Sequence, residues 1–186
     1  MFFSSPANLL LPGPARSMGE GWETARRREG GNDWVVTRLA GPARLRDVVF
    51  DTSHFLGNAP AQVQISGASM DPALDTQPWT PLVARRPVLP DTPHRFRVGP
   101  DAPEVTHLRV DIYPDGGFAR LRAHGELTAA GYDAALRRWL DTLPPAHLRQ
   151  VLTDAGLDVA LVAAALREGA RPLDWASEVL AAFTPR

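Results

Sequence analysis

The sequence predicts a mainly β chain: an antiparallel sandwich of about eight short strands, followed by a small α-helical appendage. Three observations carry this. Up to Gly125, a Pro, Gly, Asn or Asp interrupts the chain roughly every eight to twelve residues, which is the rhythm of short strands joined by turns. Several of the stretches between those breaks alternate apolar and polar residues. After Gly125, Ala and Leu dominate, and apolar residues recur at three- and four-residue steps. The expected boundary therefore separates a sandwich of residues 1–125 from a helical tail of residues 126–186.

Trp34-Val35-Val36-Thr37-Arg38-Leu39 reads as one strand, and Leu45 to Thr52, rich in Val and Phe, as another. Ala61 to Ser66 alternates, with Val63 and Ile65 inward. His107 to Tyr113 places Leu108, Val110 and Ile112 on one face and His107, Arg109 and Asp111 on the other. Phe118 to His124 is expected to carry Phe118, Arg120, Arg122 and His124 on a common side. Asp115-Gly116-Gly117 reads as a hairpin turn between the last two, which would set Asp111 across from Arg120. Asp71–Pro81 and Pro87–Pro103 are Pro-rich loops with short edge strands around Leu82-Val83 and Phe96–Val98. In the tail, Thr128 caps a helix bearing Leu136, Trp139, Leu140 and Leu143, which Pro144-Pro145 ends. Further helices are expected over Ala146–Thr153, over Val159–Glu168 with Gly169 closing it, and from an Asp174 cap to Phe183.

With 186 residues, 44% hydrophobic and 22% charged, the chain can bury a substantial core in one domain plus an appendage. Its formal charge of -1 argues against a general nucleic-acid binder. All 20 basic residues are Arg, which coding bias explains, although Arg also supplies a planar fork for carboxylates. The lack of Cys removes disulfides, thiolate metal sites and Cys nucleophiles. Met1 to Leu11 has no basic leader, no Ala-x-Ala cleavage site and too little length to span a bilayer. A soluble, cytoplasmic protein with no membrane partner is expected.

Three segments read as surface loops rather than core elements. Met18-Gly19-Glu20-Gly21-Trp22-Glu23-Thr24-Ala25 runs into Arg26-Arg27-Arg28. The second is Asp51-Thr52-Ser53-His54-Phe55-Leu56-Gly57-Asn58. The third is Tyr113-Pro114-Asp115-Gly116-Gly117-Phe118-Ala119-Arg120-Leu121-Arg122-Ala123-His124-Gly125. In this order, with Gly30-Gly31-Asn32-Asp33-Trp34 and Thr106 to Tyr113, they resemble the allantoicase family from about Phe2 to Gly125. The resemblance implies a galactose-binding-like jelly roll and hydrolysis of allantoate to ureidoglycolate and urea in purine (allantoin) breakdown. Allantoicases carry two copies of this module; this chain resembles the second copy alone, and the strand such a module places before Phe2 is expected to be missing from it. The resemblance therefore also implies a homo-oligomer or a separate first-repeat subunit. The tail resembles the start of the ureidoimidazoline decarboxylases in Leu143–Leu148 and Asp174–Leu180, without a catalytic His-Pro-Arg motif.

Allantoate has one carboxylate and two ureido groups, so its site needs a cationic fork, acceptors for N–H groups and a means of activating water. Arg26 and Arg28 share a face of an extended segment and would hold the carboxylate, with Arg27 turned away to a structural partner or solvent. A solvated charge run is the plainer alternative. Trp22 would wall the site, and Glu23 would position a ureido group, against the alternatives of loop packing and ion pairing. Asp51 and His54 would converge where their strand ends, with His54 as general base for water or both as ligands for a divalent metal, against the alternative of an ordinary strand-end hydrogen bond. His107, Arg109 and Asp111 lie about 6.5 to 7 Å apart on one face, with Arg122 on the neighbouring strand; they could line the site, with His107 the alternative to His54 in assisting water, or form an ordinary solvated face. No His-Glu-x-x-His spacing is present, so the metal is left open. Binding without catalysis is the competing function, because a jelly roll does not dictate one.

Overall fold

The computed structural model describes residues 4–69, 78–166 and 181–183. Two 3₁₀ turns, Pro6–Leu10 and Met18–Glu20, precede eight strands: β1 (Trp22–Glu23), β2 (Asp33–Asp51), β3 (Gln62–Ala68), β4 (Thr80–Pro87), β5 (Pro93–Arg97), β6 (Val105–Tyr113), β7 (Gly117–Phe118) and β8 (Arg120–Leu127). Three helices follow: α1 (Ala129–Thr142), α2 (Pro145–Asp154) and α3 (Val159–Ala165). The chain divides into two compact units, residues 1–128 and 129–186.

Strand β2 organises the sandwich. Its first half, Asp33 to Arg38, pairs antiparallel with β6, which pairs with β3, which pairs with β4. Its second half, Asp47 to Asp51, lies between β5 and β8. The sequence pattern suggested two strands here, and the structure has one that crosses between layers. The register shifts between Arg38 and Ala43. Pro42 sits at that shift, where its missing N–H interrupts no ladder, and its carbonyl accepts the Thr128 N–H at 2.9 Å.

Alternation then fills the space between the layers. Val63, Ile65, Leu108, Val110 and Ile112 from the first layer meet Val48, Phe50, Phe96 and Leu121 from the second, all buried. Each fully buried side chain of this kind contributes roughly 1.5–3 kcal/mol over an exposed one. Phe118 joins this core with its ring 4.3 Å from that of Phe50. Phe118 therefore does not share a side with Arg120 and Arg122 as expected. The ladder breaks at Ala119, whose N–H donates to the Asp51 carbonyl at 2.7 Å, and the break resets the alternation before β8.

The expected hairpin between β6 and β8 is also absent. β8 pairs with β2, so Arg120 faces Asp51, and Arg122 faces Val49. The turn itself forms: Tyr113-Pro114 is cis and Gly116 has φ +122. A Cβ on Gly116 would come 2.5 Å from the Asn58 carbonyl, so only glycine fits. In the helical unit, Leu136 and Leu140 pack with Leu148 and Leu152 at i, i+4 steps. Trp139, expected on that face, is 45% exposed and meets Phe183 edge-on at 6.3 Å. The expected Glu168–Gly169 terminus and the Asp174 cap lie outside the described residues.

Candidate functional site

The arginine loop begins at β1, which is pinned by β7 through Trp22 facing Phe118 and Glu23 facing Gly117. Thr24 N–H donates to the Gly116 carbonyl at 2.9 Å. The Asp115 carboxylate accepts the Arg27 backbone N–H at 2.6 Å. The Arg27 guanidinium is bound to the Asp33 carboxylate. The loop is thus fixed at both ends and in the middle. Arg26 and Arg28 are exposed, and among the described residues neither has a hydrogen-bond or ion-pair partner. They line an open cleft of about 610 Å³ with Trp22, Asn32, Asp33 and Trp34.

Beside this cleft lies a rigid polar layer. Buried Asp111 accepts three hydrogen bonds from Arg109, at 2.9 to 3.1 Å, and one from Asn32 Nδ2 at 2.9 Å. The same Asn32 nitrogen donates to the Asp33 carbonyl at 3.1 Å. Both amide hydrogens of Asn32 are therefore used, and its Oδ1 is left as an acceptor. The Arg109 guanidinium lies 4.8 Å from the Trp34 ring centroid, a cation–π contact that holds the indole's orientation while 53% of Trp34 stays exposed.

The other sequence candidates sit elsewhere. Glu23 accepts from Asn58 Nδ2 at 2.7 Å, tying β1 to the loop after β2. Asp51 accepts from the N–H and hydroxyl of Ser53 at 2.8 and 2.6 Å and so shapes the strand end rather than meeting His54. His54 adopts φ +71 and is exposed; its Nε2–H donates to the Ala15 carbonyl at 2.9 Å, and its backbone N–H to Asp91 at 2.7 Å. His107 lies at the other end of β6, four residues or about 13 Å from Asp111, opposite Arg38 and Ala68. Its Nδ1 is 2.8 Å from the Thr106 hydroxyl. Burial, and then the Arg38 charge, hold the His107 pKa below the usual histidine value. Neither histidine lines the arginine cleft. Arg122 is a clamp on the first segment: its guanidinium donates to the carbonyls of Leu9 (2.9 Å), Leu11 and Gly13 (3.1 Å).

Arg120 has the same task from a buried position, donating to Gly13 at 3.1 Å and to Glu20 at 2.6 Å. Sequence reasoning missed Asn32 and Asn58 as site-building residues. The Gly-Gly-Asn-Asp-Trp turn was the available signal for Asn32; nothing in the sequence marked Asn58 beyond a turn. Among the described residues, no group of three or more His, Asp or Glu is arranged to hold a metal ion. No helix among them is long and apolar enough to cross a membrane.

These features define an antiparallel β-sandwich of the jelly-roll class whose loops and sheet end carry an arginine- and indole-lined cleft. Residues 1–128 match the family model described as the allantoicase repeat. The chain belongs to the allantoicase family. It is 53% identical over 126 residues to a probable allantoicase of Nocardia farcinica, covering 68% of this chain and 37% of that protein. It is 43% identical over 136 residues to probable allantoicase 2 of Burkholderia pseudomallei, covering 67% and 39%. The solved allantoicase of Saccharomyces cerevisiae superposes with a TM-score of 0.60 at 35% identity, over 67% of this chain and 37% of that one. A SusE-like protein shares the fold alone, at 16% identity and a TM-score of 0.54, over 66% of this chain and 87% of that one. The chain thus spans well under half the length of the allantoicases it matches.

Proposed function

We propose that this chain binds allantoate in the arginine cleft and hydrolyses it to ureidoglycolate and urea as one repeat of a larger catalytic unit. The observation that supports this is the pair of partnerless guanidinium groups, Arg26 and Arg28, beside two indoles. A guanidinium takes a carboxylate through two parallel hydrogen bonds. The Oδ1 of Asn32 and the carboxylate of Asp33 then accept ureido N–H groups. Arg109 and Asp111 are positioning residues beneath Asn32 and Trp34; Glu23 and Asp51 position the flanking loops.

Hydrolysis forms a bond from water oxygen to the central carbon of allantoate and breaks the bond from that carbon to one ureido nitrogen. The departing nitrogen receives the proton that water gives up. The cleft is open and holds no histidine; its acids are Glu29 and Asp33, the latter bound to Arg27, and the reading brings a proton-transfer histidine from across its mouth, on a first-repeat subunit or a second copy of this chain. Ligand sites commonly lie at such interfaces. His54, exposed and with no partner for Nδ1 among the described residues, is one exposed histidine for such an interface; His124 and His147 are also exposed. A cytosolic setting belongs to the same reading; a chain with no cysteine forgoes the disulfides of exported proteins.

The test is urea release from allantoate by the chain alone and mixed with first-repeat protein. Little release alone and a marked rise on mixing are expected. Arg26→Gln with Arg28→Gln should raise KM roughly ten- to hundred-fold, the loss of one charge-assisted pair. Robust turnover by a monodisperse monomer would refute the divided site. The specific feature favouring binding without catalysis is the absence of a histidine from the cleft. Arginine-dependent allantoate binding with no urea release in any mixture would establish that second reading.

A further inference from the structure

A second pocket, of about 400 Å³, adjoins the arginine cleft and shares Asn32 with it. Its other principal groups come from three neighbouring strands: Arg85 on β4, Gln62 on β3 and Tyr113 on β6. Gln62 and Tyr113 are directly paired across β3 and β6. The Arg85 guanidinium lies 3.7 Å from the centroid of the Tyr113 ring. Its Nε–H donates to Gln62 Oε1 at 2.7 Å. Two contacts from different directions therefore fix the plane of this guanidinium, although Arg85 is on an exposed edge strand. Its terminal nitrogens have no carboxylate partner among the described residues.

The remaining valences of the pocket can be counted. Gln62 Oε1 is used by Arg85, so Nε2 is its free donor. Asn32 Nδ2 is used by Asp33 and Asp111, so Oδ1 is its free acceptor. A fixed cationic fork, an amide donor and an amide acceptor thus line one small open cavity. A lone surface arginine would be hydrated and mobile; this one is stacked and hydrogen-bonded with its fork unfilled.

We propose that the Arg85–Gln62–Tyr113–Asn32 pocket is a second ligand site, distinct from the arginine cleft, that takes a small carboxylate bearing an amide or ureido group. The carboxylate pairs with the Arg85 fork and accepts from Gln62 Nε2, and the ligand's N–H donates to Asn32 Oδ1. Asn32 belongs to both cavities, and the two lone pairs of its Oδ1 let it accept one N–H from each, so ligands in the two are neighbours.

The test is titration of the ¹⁵N-labelled full chain with N-carbamoylglycine, following the arginine Nε–Hε signals, with Arg85→Gln used to assign Arg85, and the Gln62 side-chain amide signal, which reports the pocket in the Arg85 variants. A saturable shift of Arg85 is expected. Arg85→Gln and, independently, Gln62→Ala should each weaken the event that is read at this pocket, by at least about tenfold for Arg85→Gln. Arg85→Lys, which keeps the charge and loses the fork, should recover only part of the affinity. The neutral N-carbamoylglycinamide should bind at least about tenfold more weakly than the acid. Arg26→Gln with Arg28→Gln should leave the Arg85 shift in place. If that double variant abolishes the shift, the ligand occupies only the larger cleft; the second site falls and the function proposed above stands. If Arg85→Gln binds like the parent, the neutral analogue binds equally, or no arginine signal responds, the second site is refuted. Unchanged Ile65 and Ile112 methyl signals in each variant show that the sandwich core is intact.

Discussion

Asp111→Ala should unlock the layer beneath the cleft. The carboxylate is 6% exposed and accepts three hydrogen bonds from Arg109 and one from Asn32. Removing one partner of a fully buried ion pair costs about 3–5 kcal/mol. Here the Arg109 side chain is 31% exposed and can partly rehydrate, while Asn32 loses one of two acceptors. The expected loss is therefore smaller, about 2–3 kcal/mol. The chain's two isoleucines, Ile65 and Ile112, are both fully buried in the sandwich core, so their δ1-methyl signals report this unit without the helical one. With a urea m-value of about 2 kcal/mol/M, the midpoint read from them should fall by roughly 1–1.5 M. Arg109→Met alone should cost less, and Arg109→Met with Asp111→Ala should be milder than the two losses added. A loss below about 0.5 kcal/mol, or strict additivity in the double variant, would show that the pair is not the lock described.

Three further outcomes follow from the same contacts. Gly116→Ala places a Cβ at φ +122 and 2.5 Å from the Asn58 carbonyl, so it should cost about 2 kcal/mol or more by the same methyl readout. Arg122→Ala removes the clamp on the Leu9, Leu11 and Gly13 carbonyls; trypsin should then cut after Arg16 faster, while the core midpoint moves by less than about 1 kcal/mol. His107 has a folded pKa lowered first by burial and then by Arg38, so the unfolded chain binds its proton more tightly. Stability should rise with pH through the window from the folded pKa up to the unfolded value of about 6.5, and the contribution is lost below it. His107→Gln should flatten that part of the pH–stability curve relative to the parent; identical curves would refute the assignment.

The strands were legible because one face of each is packed and the other is not. Val63, Ile65, Leu108, Val110 and Ile112 carry that period in the sequence and occupy the core in the structure. Strand pairing was not legible by the same rule. Sequence neighbours β6 and β8 suggested a hairpin, yet β8 lies on β2, a non-local choice that alternation does not encode. Gly41-Pro42 looked like a strand end because a proline costs a ladder bond, and at a bulge there is none to lose. Arg120 was expected across from Asp111; its partners are instead backbone carbonyls of Gly13 and Glu20, about a hundred positions earlier and invisible as a pattern.

The candidate site was half legible for a related reason. Three adjacent arginines serve no core, and their alternation already separated Arg27 from Arg26 and Arg28. What the sequence did not carry was the neutralisation that makes the separation matter. Asp33 and Asp115 engage Arg27, so the loop is held by the middle cation while its neighbours keep theirs unpaired. Two unpaired like charges at one cleft raise the energy of the empty state and lower that of an anion-bound one. The histidines followed the opposite logic. His54 and His107 were selected for their chemistry, but each ring has a local acceptor or hydroxyl that holds it outside the cleft. In the proposed function, a cleft that concentrates positive charge, fixes its acceptors through Asn32 and Asp111, and contains no histidine holds the acid. On the function proposed here, its open mouth is where the remaining chemistry must arrive.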